Sequence, residues 1–294
     1  MLLTVFVLAL IAAPAMASCP AQGIPSGVIT TRSISRPEGE RQYRVYVPKN
    51  YTNQTPKPLV FSFHGLNDNC DNFITALGFM AYADSMGFIL VAPCGSFGLL
   101  GIGWNAGTCC GQTSDDISLT RNITSDIEAN LCIDPAHRYT TGFSNGAMMS
   151  EVLACVASDI FRAAVSVSGV VEIKPGNAAG LAACDSAYAA AGNDVAVLNV
   201  HGTLDFLVPW TGDELLGFPD IPTDMADWGK RAGCTSGPTQ TFSKGTFSNQ
   251  IWSGCRGNRT IELVKNVDGG HTWPKNKDFD TTAYAIDFMF NKNK

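Results

Sequence analysis

The chain has 294 residues, 45% of them hydrophobic and 16% charged, which is typical of a globular protein. Its formal net charge is −6, from 26 acidic and 20 basic residues without a Lys/Arg cluster, so we expect no nucleic-acid partner. No apolar run after the N-terminal segment is long enough to span a bilayer, so we expect no membrane partner either.

The N-terminus has the pattern of a secretory signal peptide. An apolar run over Leu2–Ala13 is followed by small residues at Ala15 and Ala17, which is typical of a cleavage site. We therefore expect a signal peptide over residues 1–17, a mature chain from Ser18, and a secreted, extracellular protein. No Lys or Arg precedes the apolar run, which leaves an N-terminal membrane anchor open as the alternative.

The mature chain, residues 18–294, alternates short apolar runs with segments of helical periodicity. Predicted strands are Arg41–Val47, Pro58–Phe63, Phe88–Ala92, Arg138–Thr141, Ala163–Val167, Val195–Val200 and Ile261–Val264. Predicted helices are Asn72–Met86, Asp115–Leu131, Ala147–Ser158 and Thr281–Phe290. Such alternation predicts a single α/β domain with a mostly parallel central sheet flanked by helices.

Ten cysteines behind a signal peptide indicate a disulfide-stabilised protein of an oxidising compartment. We expect Cys234 to pair with Cys255, because the two flank a Gly-rich loop. Cys109 and Cys110 lack the spacing of a metal site, so we expect them in two separate disulfides and expect no metal. In a eukaryotic secreted chain four sequons would carry glycans: Asn50, Asn53, Asn122 and Asn258.

Ser144 lies in Gly-Phe-Ser-Asn-Gly, between a predicted strand and a predicted helix. This order of strand, sharp turn and helix is typical of a nucleophile elbow, in which the glycines allow a tight turn. The turn exposes the serine hydroxyl at a helix N-terminus, where developing negative charge is stabilised. We interpret Ser144 as a candidate nucleophile, since a chance match to so short a motif is the alternative.

A serine nucleophile needs a base and an acid that orients the base. Of four histidines, His271 lies on a Gly-rich loop after the last predicted strand, where a base belongs in an α/β-hydrolase. His64 and His201 end apolar strands and are interpreted as structural. Asp205 follows a predicted strand between the serine and the histidine in chain order, so it is the candidate acid.

The oxyanion hole is predicted from two backbone N–H groups. One is that of Asn145, the residue after the nucleophile, and the other is that of Leu66, in the turn after Pro58–Phe63. Preorganised donors of this kind stabilise the charge that develops in acyl transfer. No cofactor is needed for this chemistry.

Five stretches together resemble the secreted esterases that include feruloyl esterases and polyhydroxybutyrate depolymerase-like esterases. They are FHGLNDN within Phe61–Asn69, WNAGTCCG at Trp104–Gly111, TGFSNGAMMS at Thr141–Ser150, HGTLDFLVP at His201–Pro209 and GGHTWP at Gly269–Pro274. The resemblance implies an α/β-hydrolase fold with a Ser-Asp-His triad, whose roles fall on Ser144, Asp205 and His271. It also implies an enzyme of carbohydrate metabolism that acts in polysaccharide degradation, including xylan degradation.

Within the resemblance, GLNDN departs from many depolymerase-like sequences, which carry Cys after the His-Gly pair. With the many cysteines and the signal peptide, this favours a feruloyl esterase whose partner is a feruloylated plant cell-wall polysaccharide, such as arabinoxylan, or a small ester substrate. The aromatic acyl group would contact Trp104, Phe206, Trp210 and Trp273, although aromatic residues near a site are also typical of a core.

Two other classes of function stay open. An acetylxylan esterase or a polyhydroxybutyrate-type polyester depolymerase would use the same triad, because the shape of the pocket decides the acyl group. A non-catalytic secreted binding protein on a hydrolase scaffold is the other alternative.

Overall fold

The computed structural model describes residues 19–293, so the predicted signal peptide, 1–17, lies outside the described residues. In this part of the chain eleven strands form one sheet and two further strands form a hairpin. The strands are β1 (Ile29–Arg36), β2 (Gly39–Tyr46), β3 (Lys57–Phe63), β4 (Ile89–Pro93), β5 (Ser96–Gly98), β6 (Gly101–Gly103), β7 (Ile133–Phe143), β8 (Ala163–Val167), β9 (Ala196–Gly202), β10 (Ser236–Thr239), β11 (Ser243–Lys244), β12 (Phe247–Ser253) and β13 (Ile261–Asn266).

The sheet is parallel in its centre and antiparallel at both sides. Its order is β1-β2-β4-β3-β7-β8-β9-β13-β12-β10, with β11 beside β12 and β5 paired only with β6. Strands β4, β3, β7, β8, β9 and β13 run parallel, and every other pairing is antiparallel. All seven predicted strands are present, with ends shifted by a few residues. Most of them are apolar runs bounded by turn residues, whereas Arg41–Val47 alternates polar and apolar residues.

Seven α-helices occur in residues 19–293: α1 (Cys70–Ala76), α2 (Phe79–Met86), α3 (Asp116–Asn130), α4 (Asn145–Val156), α5 (Asn177–Ala191), α6 (Ile221–Arg231) and α7 (Thr281–Asp287). A π-helical turn over Phe288–Lys292 extends α7. The single helix predicted over Asn72–Met86 is wrong, because Gly78 takes a left-handed φ of 78° and separates α1 from α2. Helices α5 and α6 were not predicted.

Two apolar cores lie on the two faces of the sheet. Along β3, Leu59, Phe61 and Phe63 point to one core and Val60 to the other, as the two-residue period of a strand requires. Helices cover both faces of the sheet, and this arrangement confirms the predicted α/β-hydrolase fold. Within the described residues no helix combines the length and the apolar character that a bilayer crossing requires.

Five disulfides cross-link the described chain: Cys19–Cys132, Cys70–Cys94, Cys109–Cys110, Cys155–Cys184 and Cys234–Cys255. The predicted pair of Cys234 and Cys255 is confirmed. The expectation that Cys109 and Cys110 belong to separate disulfides is wrong, because they bond to each other in a tight turn where Cys110 has φ 73°.

A buried polar cluster fixes α4 against α6. The carboxylate of Glu151 accepts hydrogen bonds from Nε1 of Trp228 at 2.9 Å and Nδ2 of Asn199 at 3.1 Å. Asp224 accepts the backbone N–H of Val171 at 3.0 Å. These bonds satisfy polar groups in the interior and join α6 to the middle of α4.

Candidate active site

Ser144 lies at a sharp turn between β7 and α4. Its φ of 56° and ψ of −124° lie outside the regions that residues other than glycine usually adopt. Its N–H donates to the carbonyl oxygen of Val167 at 2.9 Å, which ties the turn to the end of β8. Strained backbone of this kind persists only where the surroundings enforce it, and it is common at functional sites.

The glycines of the motif are required by close approach of backbone. A Cβ on Gly142 would lie 2.1 Å from the carbonyl oxygen of Gly146, and one on Gly146 would lie 2.1 Å from that of Phe63. A Cβ on Gly65 would lie 3.4 Å from Cβ of Ser144, so the turn after β3 packs directly against the serine.

His271 and Asp205 form a hydrogen-bonded pair at the same edge of the sheet. Nδ1 of His271 lies 2.8 Å from Oδ2 of Asp205, and a carboxylate only accepts, so Nδ1 carries a proton. In the neutral tautomer that this bond selects, Nε2 has the lone pair. Oδ1 of Asp205 accepts the N–H groups of Leu207 and Val208 at 3.0 and 2.9 Å. Burial opposes ionisation, but the bonds from His271 and Val208 outweigh it and lower the pKa of Asp205.

A second histidine supports the carboxylate. His201 is buried in β9, and its Nε2 lies 2.8 Å from the carbonyl oxygen of Val208 and 3.4 Å from Oδ2 of Asp205. Burial lowers the pKa of His201, which keeps the ring neutral. Its contacts hold the loop that carries Asp205, in agreement with the structural role predicted for His201.

Contacts between strand ends bring the serine and histidine turns together. The ring of Phe143, the residue before Ser144, packs against the imidazole of His271 with centroids 4.9 Å apart. Oγ of Ser168, at the end of β8, donates to the carbonyl oxygen of Thr272 at 3.3 Å. His271, Asp205 and Ser144 therefore lie at neighbouring strand ends on one edge, where ligands bind in open α/β sheets.

The two predicted oxyanion donors flank the serine. Asn145 is the first residue of α4, and Leu66 lies in a turn closed by the N–H of Asp68, which donates to the carbonyl oxygen of Gly65 at 3.2 Å. Within residues 19–293 neither the N–H of Leu66 nor that of Asn145 has an acceptor. Neither amide is therefore committed to a bond within the described chain, as an oxyanion donor requires.

The position of Trp104 corrects one prediction. Its side chain is fully buried, and its ring packs edge-on against Phe63 with centroids 5.0 Å apart. Nε1 donates to the carbonyl oxygen of His64 at 2.8 Å. Because the indole is enclosed beneath the turn after β3, the expectation that Trp104 contacts a substrate is wrong.

The other three predicted aromatic residues differ in exposure. Phe206, next to Asp205 in the chain, is 79% exposed and free to contact a ligand. Trp210 is half-buried against the ring of His201, with centroids 6.2 Å apart. Trp273 is half-buried against Phe79, with centroids 6.0 Å apart, and so contributes mainly to a core.

Exposed apolar side chains lie on segments near this edge and are here called the apolar rim; of these, only Phe206 was predicted from the sequence. They come from the β5–β6 hairpin and two loops: Phe97, Leu99, Leu100, Leu204, Phe206, Leu207, Leu215 and Leu216. The N–H of Asn67, beside Leu66, donates to the carbonyl oxygen of Ile102 at 2.8 Å and so holds the hairpin next to the site. In the sequence, the feature that could have indicated this hairpin is the run SFGLLGIG, which is apolar and Gly-rich but has no clear periodicity. Exposed apolar patches of this kind often mark binding sites.

A buried carboxyl group holds the segment between β6 and α3. Oε1 of Glu172 accepts the N–H of Cys109 at 2.7 Å, and Oε2 has no partner among the described residues. Burial raises the pKa of Glu172 to about 8, so this carboxyl group stays protonated at neutral pH. Oγ1 of Thr108 donates to the carbonyl oxygen of Leu216 at 2.7 Å, which joins the segment to the rim.

Proteins of known sequence resemble this chain over most of its described length. A family described as "Putative esterase" matches residues 34–231. "Feruloyl esterase B" of Piromyces equi is 27% identical over 240 residues, which cover 79% of this chain and 42% of that protein. "Feruloyl esterase C" of Emericella nidulans is 29% identical over 254 residues, which cover 82% of this chain and 79% of that protein.

Among solved structures, an acetyl xylan esterase from Aspergillus awamori is similar with a TM-score of 0.67 and 16% identity, covering 88% of this chain and 98% of that one. This likeness is one of fold. The chain spans about half the length of several relatives, 42% of the Piromyces protein and 57% and 58% of two Aspergillus proteins. Because the family match extends from β1 to the end of α6, the chain belongs to this esterase family and is related to feruloyl esterases.

Proposed function

We propose that this chain is a carboxylic ester hydrolase in which Ser144 is the nucleophile, His271 the general base and Asp205 the orienting acid. The observation that carries the proposal is the 2.8 Å hydrogen bond between His271 and Asp205, at the sheet edge where Ser144 occupies a strained turn. Acyl transfer by a serine needs a base beside the nucleophile and a third group that orients the base.

The proposed reaction has two halves. Nε2 of His271 takes the hydroxyl proton as Oγ of Ser144 attacks the ester carbonyl carbon, and the N–H groups of Leu66 and Asn145 stabilise the tetrahedral oxyanion. Collapse of the intermediate breaks the bond to the alcohol, which leaves with the proton from His271. Water then attacks the acyl-enzyme with His271 again as base, releasing the carboxylic acid and the free serine.

Hydroxycinnamoyl esters of plant cell-wall polysaccharide are the proposed substrates. Both relatives described above carry the name feruloyl esterase, and the apolar rim offers surface that an aromatic acyl group can cover. An acetyl group would leave most of the rim exposed, so the rim favours the larger acyl group. An apolar polyester would also cover the rim, which makes polyester hydrolysis the second candidate.

Secretion is part of the proposal. The five disulfides of the described chain support an oxidising compartment, since such bonds are rare in a reducing cytosol. The sequence pattern over residues 1–17, which is typical of a secretory signal peptide, also supports secretion.

Hydrolysis of methyl ferulate, acetylated xylan and a polyhydroxybutyrate film by the purified mature protein tests the proposal. Ser144→Ala is the inactive variant, and Ser125→Ala, on the exposed side of α3, is the matched control. We expect ferulate release that disappears in Ser144→Ala and persists in Ser125→Ala. Release of acetate or hydroxybutyrate alone would keep the nucleophile but overturn the substrate class. Absence of any Ser144-dependent hydrolysis would overturn the enzymatic proposal and favour a binding protein.

A further inference from the structure

Trp104 and the side chain of Asn145 form a pair of hydrogen bonds in the interior. The N–H of Trp104 donates to Oδ1 of Asn145 at 2.7 Å, and Nδ2 of Asn145 donates to the carbonyl oxygen of Trp104 at 3.1 Å. Trp104 is 0% exposed and Asn145 is 1% exposed, so water does not compete for these bonds. Asn145 is also the residue whose backbone N–H is a proposed oxyanion donor.

The indole of Trp104 reaches the segment that carries the other proposed donor. Its Nε1 donates to the carbonyl oxygen of His64 at 2.8 Å. The imidazole of His64 accepts the N–H of Gly95 at Nε2, 3.0 Å away, which leaves the proton on Nδ1. Nδ1 then donates to the carbonyl oxygen of Gly65 at 2.8 Å.

Two bonds to the carbonyl oxygen of Gly65 set the direction of the Leu66 amide: the one from Nδ1 of His64 at 2.8 Å and the longer one from the N–H of Asp68 at 3.2 Å. The carbonyl group of Gly65 and the N–H of Leu66 belong to one planar trans peptide unit, so they point in opposite directions. When Nδ1 of His64 holds the carbonyl group, the N–H of Leu66 is directed to the other side of the turn. Rotation of this peptide would break the bond to His64 and leave a buried donor unpaired.

A buried ion pair anchors this arrangement to the sheet. The N–H of Asn105, next to Trp104, donates to Oδ2 of Asp116 at 2.8 Å. Oδ1 of Asp116 accepts from Nη2 of Arg41, on β2, at 2.7 Å. Both charged side chains are almost fully buried, so the pair resists displacement by water.

From these contacts we infer that His64, Trp104 and the side chain of Asn145 form a brace that holds the two oxyanion donors in fixed relative positions. The inference rests on the proposed function and names positioning residues for that site. All three are positioning residues. His64 holds the peptide that carries the Leu66 amide, and the side chain of Asn145 holds its own residue against the backbone of Trp104. The indole of Trp104 joins the two parts through its bond to the carbonyl oxygen of His64. Preorganised donors stabilise the transition state more than the bound ester, so the brace acts on kcat rather than KM.

Trp104→Phe tests the brace, with Trp228→Phe as its matched control. Each replaces a fully buried indole and removes one Nε1–H donor, but the donor of Trp228 bonds Glu151, away from the oxyanion donors. Loss of a whole oxyanion donor costs about 100- to 1000-fold in rate, so a loosened one is expected to cost about 10- to 100-fold. We expect that loss in kcat for Trp104→Phe, little change in KM, and unchanged kcat for Trp228→Phe. Equal kcat values in two folded variants would overturn the brace.

Substitutions of His64 test the peptide orientation. His64→Asn keeps a donor close to the position of Nδ1, whereas His64→Leu has none. We expect His64→Asn to retain most of kcat and His64→Leu to lose about 10- to 100-fold. His64→Leu should also be less stable, because it leaves the N–H of Gly95 without its acceptor, so kcat is compared at a temperature where both variants are folded. A folded His64→Asn variant that is as slow as His64→Leu would contradict the inference.

An amide spectrum separates failure of the brace from failure of the proposed function. Nuclear magnetic resonance signals of the Leu66 and Asn145 amides are expected to shift in Trp104→Phe and to stay in place in Trp228→Phe, whatever ester is hydrolysed. Unchanged amide signals in Trp104→Phe would overturn the brace. If the signals shift but the protein shows no Ser144-dependent hydrolysis, the brace is supported and the proposed esterase function is overturned.

Discussion

Nδ1 of His271 lies 2.8 Å from Oδ2 of Asp205, and this hydrogen bond joins the loop after β13 to the loop after β9. The other oxygen of Asp205 accepts two backbone N–H groups, so the carboxylate cannot rotate without breaking them. The imidazole is held in one orientation and one tautomer, which is the state that a general base requires.

Asp205→Asn changes this tautomer while it keeps the shape of the side chain. Its amide group would donate to Nδ1 and move the histidine proton to Nε2, away from the place where a base is needed. We expect kcat to fall by about 1000- to 10,000-fold, with a small change in thermal stability, measured on methyl ferulate. A loss smaller than about 10-fold would show that Asp205 does not orient the base.

Glu172→Gln is expected to remove a pH dependence of stability. Burial raises the pKa of Glu172 from 4.5 to about 8, so the folded chain keeps a proton that the unfolded chain releases. The contribution of Glu172 to the free energy of unfolding is therefore fully present below about pH 4.5 and is lost as the pH rises toward about 8. The free energy of unfolding falls by at most about 1.4 kcal/mol for each pH unit in this range.

Urea unfolding at about pH 5 and about pH 8 measures this effect. Gln keeps the acceptor for the N–H of Cys109 but does not ionise, so Glu172→Gln should lose less stability between the two pH values than the wild-type chain. Glu214→Gln, at an exposed position, is the matched control and should behave as wild type. Equal losses in all three proteins would refute the buried protonated carboxyl group.

The apolar rim is expected to contribute to binding of an aromatic acyl group. Phe97 and Phe206 are 82% and 79% exposed, so replacing both by Ser should leave thermal stability unchanged. Losing about 50 Å² of apolar contact costs about 1.3 kcal/mol, which predicts a rise of about 10-fold in KM for methyl ferulate.

Methyl acetate and a distant substitution serve as controls for the rim. The same double variant should leave KM for methyl acetate almost unchanged, because a methyl group covers little of the rim. Met86→Ser replaces an apolar residue that is 41% exposed at the end of α2, and it should leave both KM values unchanged. Equal effects on the two esters would argue that the rim does not contact the acyl group.

Removal of two disulfides is expected to have unequal effects on global stability. Cys109 and Cys110 are adjacent, whereas Cys234 and Cys255 are 21 residues apart and close a longer loop. Because the entropy lost by the unfolded chain grows with loop length, replacing both cysteines by Ser should cost about 1 kcal/mol for the first pair and about 3 kcal/mol for the second. Denaturant unfolding of the two double variants measures the difference, and the reverse order would contradict it.

The central strands of the sheet could be predicted from the sequence, whereas its outer part could not. Strand β8 matches the predicted Ala163–Val167 because a buried parallel strand is a continuous apolar run with clear ends. Strand β10, SGPT, is exposed at every position and pairs only because β12 lies beside it. Helix α5, rich in Ala, has no strong apolar face in its sequence, so its helical state depends on packing against α4.

The sequence by itself determined the order of strands and helices and the strand-turn-helix around Ser144, because apolar period, glycine and turn residues act over a few positions. It also indicated which polar residues follow strand ends, and hence the edge where Asp205 and His271 lie. Only the tertiary structure decided that Trp104 is enclosed and that Cys109 bonds to Cys110. The burial of Trp104 depends on segments far away in the chain, and no local pattern encodes those contacts. Cys109 bonds to its neighbour because the other eight cysteines meet partners that are 21 to 113 residues away.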